Sequence, residues 1–205
     1  MTAVSRLVAL SMLAILAVLG PVNAAISNAL PEAFIDGLGA QVIAVLADKS
    51  LDQPKRELKF REVLNASFVA ETTGRVVLGR YWGIATEQER QRFQPLYREY
   101  LIRIYAARFS RFSGEKFAVK GVRRESDGDV NVQSEIQPPS VGGPTYQVNW
   151  RVRLENGAYR IVDVVADGVS LLVTHNQEFS SIIQNGGGKV QALLDALQAR
   201  AGRRN

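Results

Sequence analysis

The fold of this chain is indicated most clearly by residues 145–165, which read TYQVNWRVRLENGAYRIVDVV. Val148, Trp150 and Val152 alternate there with polar residues, and a period of two is typical of a strand with one buried and one solvated face. Asn156-Gly157 interrupts the pattern and favours the tight turn of a β-hairpin. The stretch therefore predicts two antiparallel strands, over residues 145–154 and 158–165.

Two further strands precede this hairpin. Asp127-Gly128 is a second hairpin signal, and the residues on either side of it predict strands over 117–123 and 129–136. The expected sheet is a twisted, antiparallel, four-stranded meander.

Helical patterns stand on both sides of the predicted sheet. Apolar residues recur at steps of three and four, the spacing of one helix face, over residues 27–48, 55–68, 86–112, 170–184 and 189–200. Thr86 and Glu89 form a capping box at the start of the longest of these helices, in which Pro95 should introduce a kink or begin a second segment. Residues 76–82 are a short apolar segment of unassigned structure. Helices followed by a meander and further helices predict an α+β fold.

The first 24 residues have the organisation of a secretory signal peptide. Arg6 is their one charged side chain, Leu7 to Leu19 is almost wholly apolar, and Val22-Asn23-Ala24 supplies small residues for cleavage near Ala24 or Ala25. An uncleaved amphipathic anchor is the alternative. We therefore expect a cleaved signal peptide over residues 1–24, export of the mature protein, and a single domain over residues 25–205.

Composition excludes several classes of protein. The chain has no cysteine and one histidine, so neither a cysteine-based zinc site nor a site with several histidines can form, and no metal or cofactor is expected. The net charge is +5, but the basic residues are scattered, which does not favour nucleic-acid binding. A mildly basic surface fits anionic lipid headgroups or an acidic partner. Arg90, Arg92 and Arg98 are candidates for such contacts, although we interpret them as solvated surface.

Catalytic groupings are weak. Ser170, His175 and either Asp163 or Asp167 lie close in sequence, but a helix would place Ser170 and His175 on different faces, and no nucleophile elbow is present. We therefore expect Ser170 to cap a helix, His175 to lie at the surface, and Asp163 to bind backbone or an arginine. The run Gly186 to Gly188 predicts a helix end instead of a phosphate loop. No enzymatic activity is expected.

Three stretches resemble the MlaC family, also called the toluene-tolerance auxiliary family. They are Val77-Leu78-Gly79-Arg80-Tyr81-Trp82, the helix from Glu87 to Tyr105, and Asp163 to Ser170 followed by Glu178-Phe179. Asp167 stands where the family usually has Glu, and Pro95 interrupts the helix. A hopanoid-associated branch of the family shares these motifs.

The resemblance implies a periplasmic carrier that moves phospholipid between membranes. Its partners would be an outer-membrane lipoprotein complex and an inner-membrane ABC transporter with an MCE-domain subunit, and the acyl chains would lie in a pocket between sheet and helices. The alternatives are a hopanoid-associated lipid-binding protein and a periplasmic adaptor that binds another protein but no lipid.

A pocket of this kind would have walls from the sheet and from the longest helix. The aromatic stripe of that helix equally fits ordinary core packing. The predicted lipid-binding residues are Val132, Ile136, Val148, Trp150 and Val152 on the sheet, Phe93, Tyr97, Tyr100, Leu101 and Tyr105 on the helix, and Val169, Leu171 and Leu172 at the base or rim.

Overall fold

A computed structural model describes residues 30–68, 70–109, 112–140 and 142–202. The predicted signal peptide, residues 1–24, lies outside these ranges. The helices are α1 (Pro31–Ala47), α2 (Gln53–Ser67), α3 (Ala70–Leu78), α4 (Arg80–Ile84), α5 (Glu87–Phe109), α6 (Leu171–Asn185) and α7 (Val190–Gly202). Among the described helices, none combines the length and apolarity needed to cross a bilayer.

The strands form one antiparallel sheet in chain order. They are β1 (Lys116–Arg124), β2 (Val130–Gln137), β3 (Tyr146–Glu155), β4 (Ala158–Ala166) and β5 (Val169–Ser170). The prediction of an α+β fold with an antiparallel sheet is confirmed, and the first four strands lie close to their predicted bounds.

The fifth strand was not predicted. It arises because Asp167 and Gly168 both have positive φ, 48° and 82°, and so reverse the chain after β4 in a two-residue turn. Asn156 and Gly157 have the same property between β3 and β4, with φ of 51° and 78°. Left-handed conformations at both central positions define the hairpin turn that matches strand twist, so Asp167-Gly168 was the overlooked sequence signal.

The structure bears on the capping box, on Pro95 and on the unassigned segment over residues 76–82. The capping box is confirmed, since the Glu89 carboxylate accepts from the Thr86 amide and the Thr86 hydroxyl oxygen accepts from the Glu89 amide. The helix α5 continues through Pro95, so the idea that Pro95 begins a second segment is wrong. The unassigned segment over residues 76–82 is helical and divides between α3 and α4, where Gly79 has a φ of 51°.

The buried apolar side chains of the described residues form two cores. One lies among α3 to α7 and includes Phe93, Tyr97 and Phe179. The other joins α1 to the sheet and includes Ile35, Val132 and Ile161. Members of both cores also line a cavity, among them Leu38 and Phe60.

Candidate functional site

A cavity of about 680 Å³ lies between one face of the sheet and helices α1 and α2. This volume falls within the range of roughly 300–1,000 Å³ usual for ligand pockets. Most of its lining side chains are aliphatic or aromatic. They are Leu38, Gly39, Val42, Ile43, Leu46, Phe60, Val63, Tyr105, Phe112, Glu115, Lys116, Phe117, Ile136, Pro138, Pro144, Tyr146, Trp150, Val164 and Leu171.

Helix α1 supplies one wall. Leu38, Val42 and Leu46 recur every four residues, and Gly39 and Ile43 lie one position further on. At 3.6 residues per turn these five positions share one face of the helix. The C-terminal half of α1 therefore faces the cavity.

The sheet supplies the opposite wall, and Trp150 is its largest member. The indole Nε1 of Trp150 donates to the Ser134 Oγ at 2.8 Å, and that hydroxyl donates to the Val148 carbonyl at 2.9 Å. Phe117 meets the Trp150 ring edge to face, with centroids 6.3 Å apart. Because the polar edge of the indole is satisfied within the sheet, its ring can face an apolar space without an unpaired donor.

Gly39 lets α1 approach β1 closely. A Cβ atom added at Gly39 would lie 2.3 Å from the Phe117 Cδ1. A side chain there would displace either the Phe117 ring or the helix, and both line the cavity. Glycine at this position therefore helps to set the width of the cavity.

Polar groups lie at the rim. Tyr146 is 48% exposed, and Lys116 is exposed, so this part of the cavity reaches solvent. The Glu115 carboxylate accepts from the Ser113 amide and hydroxyl, and these bonds lower the pKa of Glu115. Among the described residues, Lys116 has no ion pair. The rim thus has one engaged carboxylate and one available ammonium.

Four of the predicted site residues line the cavity: Tyr105, Ile136, Trp150 and Leu171. Leu171 is held in place by the start of α6. The Asp163 carboxylate accepts from the Ser170 hydroxyl at 2.6 Å and from the Leu172 amide at 3.2 Å, and the Ser170 Oγ caps the helix by accepting from the Val173 amide. The structural roles predicted for Ser170 and Asp163 are confirmed.

The other predicted site residues lie elsewhere. Helices α6 and α7 pack on the aromatic stripe of α5, so the long helix faces other helices along most of its length. The residues absorbed into this helical core are Phe93, Tyr97, Tyr100, Leu101 and Leu172.

On the sheet, Val132 and Val152 are fully buried against α1. Val148 is buried without lining the cavity, and Val169 is exposed. Of the residues predicted on the long helix, Tyr105 lines this cavity and the others lie in the helical core.

His175 is buried, and the prediction that it lies at the surface is wrong. Its Nδ1 lies 2.9 Å from the Tyr97 hydroxyl, and its ring stacks on Phe179. Burial lowers the pKa of His175 to about 4, although Glu178 and Asp163 oppose the shift. The imidazole is consequently neutral at physiological pH, and it packs within the helical core.

Sequence reasoning missed most of the cavity wall contributed by α1 and α2. The apolar stripe of α1 was visible at Leu38, Val42 and Leu46, but a stripe that faces a cavity has the same period as one that faces a core. Phe60 and Val63 of α2 posed the same ambiguity. Whether an apolar stripe faces a cavity or a core depends on which helix packs on which face of the sheet. The periodicity of the sequence does not carry this information.

The fold and cavity define a class of α+β protein with an apolar chamber between an antiparallel sheet and two helices. Residues 37–199 match the model of the MlaC protein family, and the chain belongs to that family.

Two relatives show how far the similarity extends. The chain is 24% identical over 133 residues to the intermembrane phospholipid transport system binding protein MlaC of Haemophilus influenzae; the match covers 64% of this chain and spans 61% of that relative. The phospholipid-binding protein of Ralstonia solanacearum, whose structure contains a phospholipid, has a TM-score of 0.74 at 24% identity, covering 84% of this chain and 97% of that one. The second likeness shows the fold.

Proposed function

We propose that this protein is a periplasmic carrier that holds a phospholipid by its acyl chains in the cavity between the sheet and helices α1 and α2. The observation that supports the proposal most directly is the size of the cavity, about 680 Å³, together with its apolar walls. The names of the two relatives, one an intermembrane transport protein and one a phospholipid-binding protein, agree with it.

The energetics of lipid transfer explain why such a cavity is needed. Moving one methylene from hydrocarbon into water costs about 0.8 kcal/mol, so two acyl chains of ordinary length cost on the order of 20 kcal/mol. A carrier offsets this cost with apolar walls, and it must not exceed the cost by much, because the lipid has to leave again. Carriage of this kind needs no catalytic residue.

The rim suits a phosphate headgroup. Lys116 has no ion pair among the described residues, and an ammonium group near the rim can pair with a phosphate that stays in water. In this arrangement Tyr105, Ile136, Trp150 and Leu171 contact the acyl chains, together with the cavity residues of α1.

The proposed route of the lipid is the one that the resemblance to the MlaC family implies. The carrier would take lipid from one membrane complex and deliver it to another, with an outer-membrane lipoprotein complex and an inner-membrane ABC transporter containing an MCE-domain subunit as partners. Export would require the predicted signal peptide over residues 1–24.

A charge placed in the cavity tests the proposal. Val42 faces the cavity and Ala44, on the same helix, is exposed, so Val42→Arg and Ala44→Arg add the same charge to two faces of α1. We expect lipid extraction and mass spectrometry to find phospholipid in the wild type and in Ala44→Arg, and at least tenfold less in Val42→Arg, because a buried unpaired charge is costly. Circular dichroism verifies that both variants fold.

The same extraction separates the alternatives. Equal lipid content in the two variants would show that this cavity is not the binding site. A hopanoid in the wild-type extract would place the protein in the hopanoid-associated branch. A wild-type protein without lipid would favour the adaptor without a lipid ligand.

A further inference from the structure

A basic and aromatic surface lies at the corner of α3, α4 and α5, away from the cavity. We define the Arg–Trp patch as Arg75, Trp82 and Arg90. The Arg75 guanidinium carbon lies 5.9 Å from the Trp82 ring centroid, and that of Arg90 lies 5.4 Å from the same centroid. The Arg90 Nε also donates to the Trp82 carbonyl at 3.0 Å. These contacts hold two cations and one indole together.

The charge of the patch is poorly balanced. Arg75 is exposed and, among the described side chains, has no ion pair. Arg90 has one acidic neighbour, Glu87, at 3.8 Å, and that carboxylate is largely exposed. An exposed pair at this distance neutralises little charge. The exposed Arg75 guanidinium therefore remains able to bind an anionic group bidentately, and Arg90 adds positive charge beside it.

Exposed apolar side chains neighbour the patch in sequence. Ile84 is 66% exposed on α4, and Val76 is about half exposed on α3. Tryptophan and arginine are the residues most enriched among those that dominate protein interfaces. The patch therefore has the composition of a contact surface between proteins.

Its position separates the patch from lipid exchange. Arg90 and Tyr105 belong to one helix, α5, and 15 residues at 1.5 Å each place them about 22 Å apart along its axis. Tyr105 lines the cavity. A bilayer that receives lipid has to face the mouth of the cavity, whereas a protein bound at the patch can hold the carrier and leave the cavity uncovered.

We propose that the Arg–Trp patch docks an acidic surface of a protein partner. The proposal goes beyond lipid binding and rests on the proposed function only in that a carrier needs a partner. Attraction between opposite charges speeds encounter and weakens with salt. A carrier has to dissociate from its partner, so we expect the complex formed at the patch to be transient.

In-cell photo-crosslinking identifies the occupant. A photo-reactive phenylalanine analogue replaces Ile84 in one protein and Leu154, which is 57% exposed on β3, in the control. The expected result is that the variant with the analogue at position 84 crosslinks to one partner protein. The control with the analogue at position 154 should not crosslink to that protein. Crosslinks at position 84 to phospholipid alone would show that a membrane covers the patch, and would overturn the proposal.

Charge reversal then tests the chemistry with the purified partner. Arg75→Glu with Arg90→Glu should weaken binding by at least about tenfold, and wild-type binding should weaken as salt rises from about 50 to about 300 mM. Lys59→Glu with Arg124→Glu makes the same change in net charge at exposed positions elsewhere and should change affinity less than about twofold. Equal weakening in both double variants would contradict a local docking site.

Two measurements keep the outcome unambiguous. Arg75→Glu alone changes an exposed side chain that lies over the Trp82 ring, so it tests the site if the double variant fails to fold. Lysine substitution of an acidic partner residue should restore binding to Arg75→Glu, and failure of every such substitution would overturn the pairing. Lipid extraction from the same proteins is unaffected by docking, so a failure of lipid binding is seen separately.

Discussion

At the junction of β4 and α6, Asp163 accepts hydrogen bonds from Ser170 and from the backbone amides of Val164 and Leu172. Residue types that suit catalysis are here engaged in positioning the first turn of a helix. The carboxylate satisfies amides that a helix start leaves unpaired, and the result is that Leu171 faces the cavity and Leu172 enters the helical core. A residue type therefore indicates possible chemistry only together with its partners.

His175 should make stability depend on pH. Its pKa is about 4 in the folded protein against 6.5 for a free histidine, so between these values the unfolded chain binds more protons than the folded one. Stability from this group is complete above pH 6.5 and falls as pH decreases towards 4. The full loss is about 3 kcal/mol, at about 1.4 kcal/mol for each pKa unit.

Denaturant unfolding of the wild type and of His175→Gln, at pH 7 and at pH 4, measures this effect. The free-energy difference between the two proteins should shrink by about 3 kcal/mol at the lower pH, because carboxylates that titrate in the same range are common to both. A difference that stays constant with pH would mean that the imidazole does not titrate abnormally.

At the scale of elements, the contact between α1 and β1 determines the width of the cavity. Gly39→Ala brings a methyl group against the Phe117 ring, and we expect a net loss of about 1–2 kcal/mol, since overpacking outweighs the gain in helix propensity. Gly37 lies on the same helix with no atom within 4 Å of an added Cβ. Gly37→Ala should therefore stabilise the protein by up to about 1 kcal/mol.

Thermal or denaturant unfolding of the two variants gives opposite signs if this account is correct. If Gly39→Ala stabilises the protein as Gly37→Ala does, the approach of α1 to β1 is loose enough to accept a side chain.

The strands were the elements best predicted from sequence. The alternation along β3 and the Asn156-Gly157 turn are local properties of the sequence. An Asn-Gly pair favours the positive φ that both turn residues adopt. Most of the residues predicted for a pocket wall on α5 lie away from the cavity because their environment is not a local property. The aromatic stripe of this helix can be buried by a sheet or by helices, and α6 and α7, which follow more than sixty residues later, occupy that face.

At the scale of the whole molecule, the described residues form two apolar cores, and members of both line an apolar chamber. If that chamber holds phospholipid, the bound lipid adds to stability through mass action. A ligand present at a hundred times its Kd adds about 2.7 kcal/mol. Delipidation should therefore lower the unfolding midpoint of the wild type by on the order of 5–10 °C for a domain of this size.

Differential scanning calorimetry before and after delipidation measures the shift. Val42→Arg, which is expected to contain little lipid, should unfold at the same temperature after either treatment. A wild-type midpoint that is insensitive to delipidation would show that the chamber contributes no ligand binding under these conditions.

The sequence by itself determined the α+β class, four strands and their turns, the capping box of α5 and membership of a family, because each of these depends on neighbouring residues or on motifs along the chain. Only the tertiary structure decided which apolar faces meet each other and which are left to form a cavity. A hydrophobic stripe is equally satisfied by side chains or by a lipid, so its function depends on what the rest of the chain places opposite it.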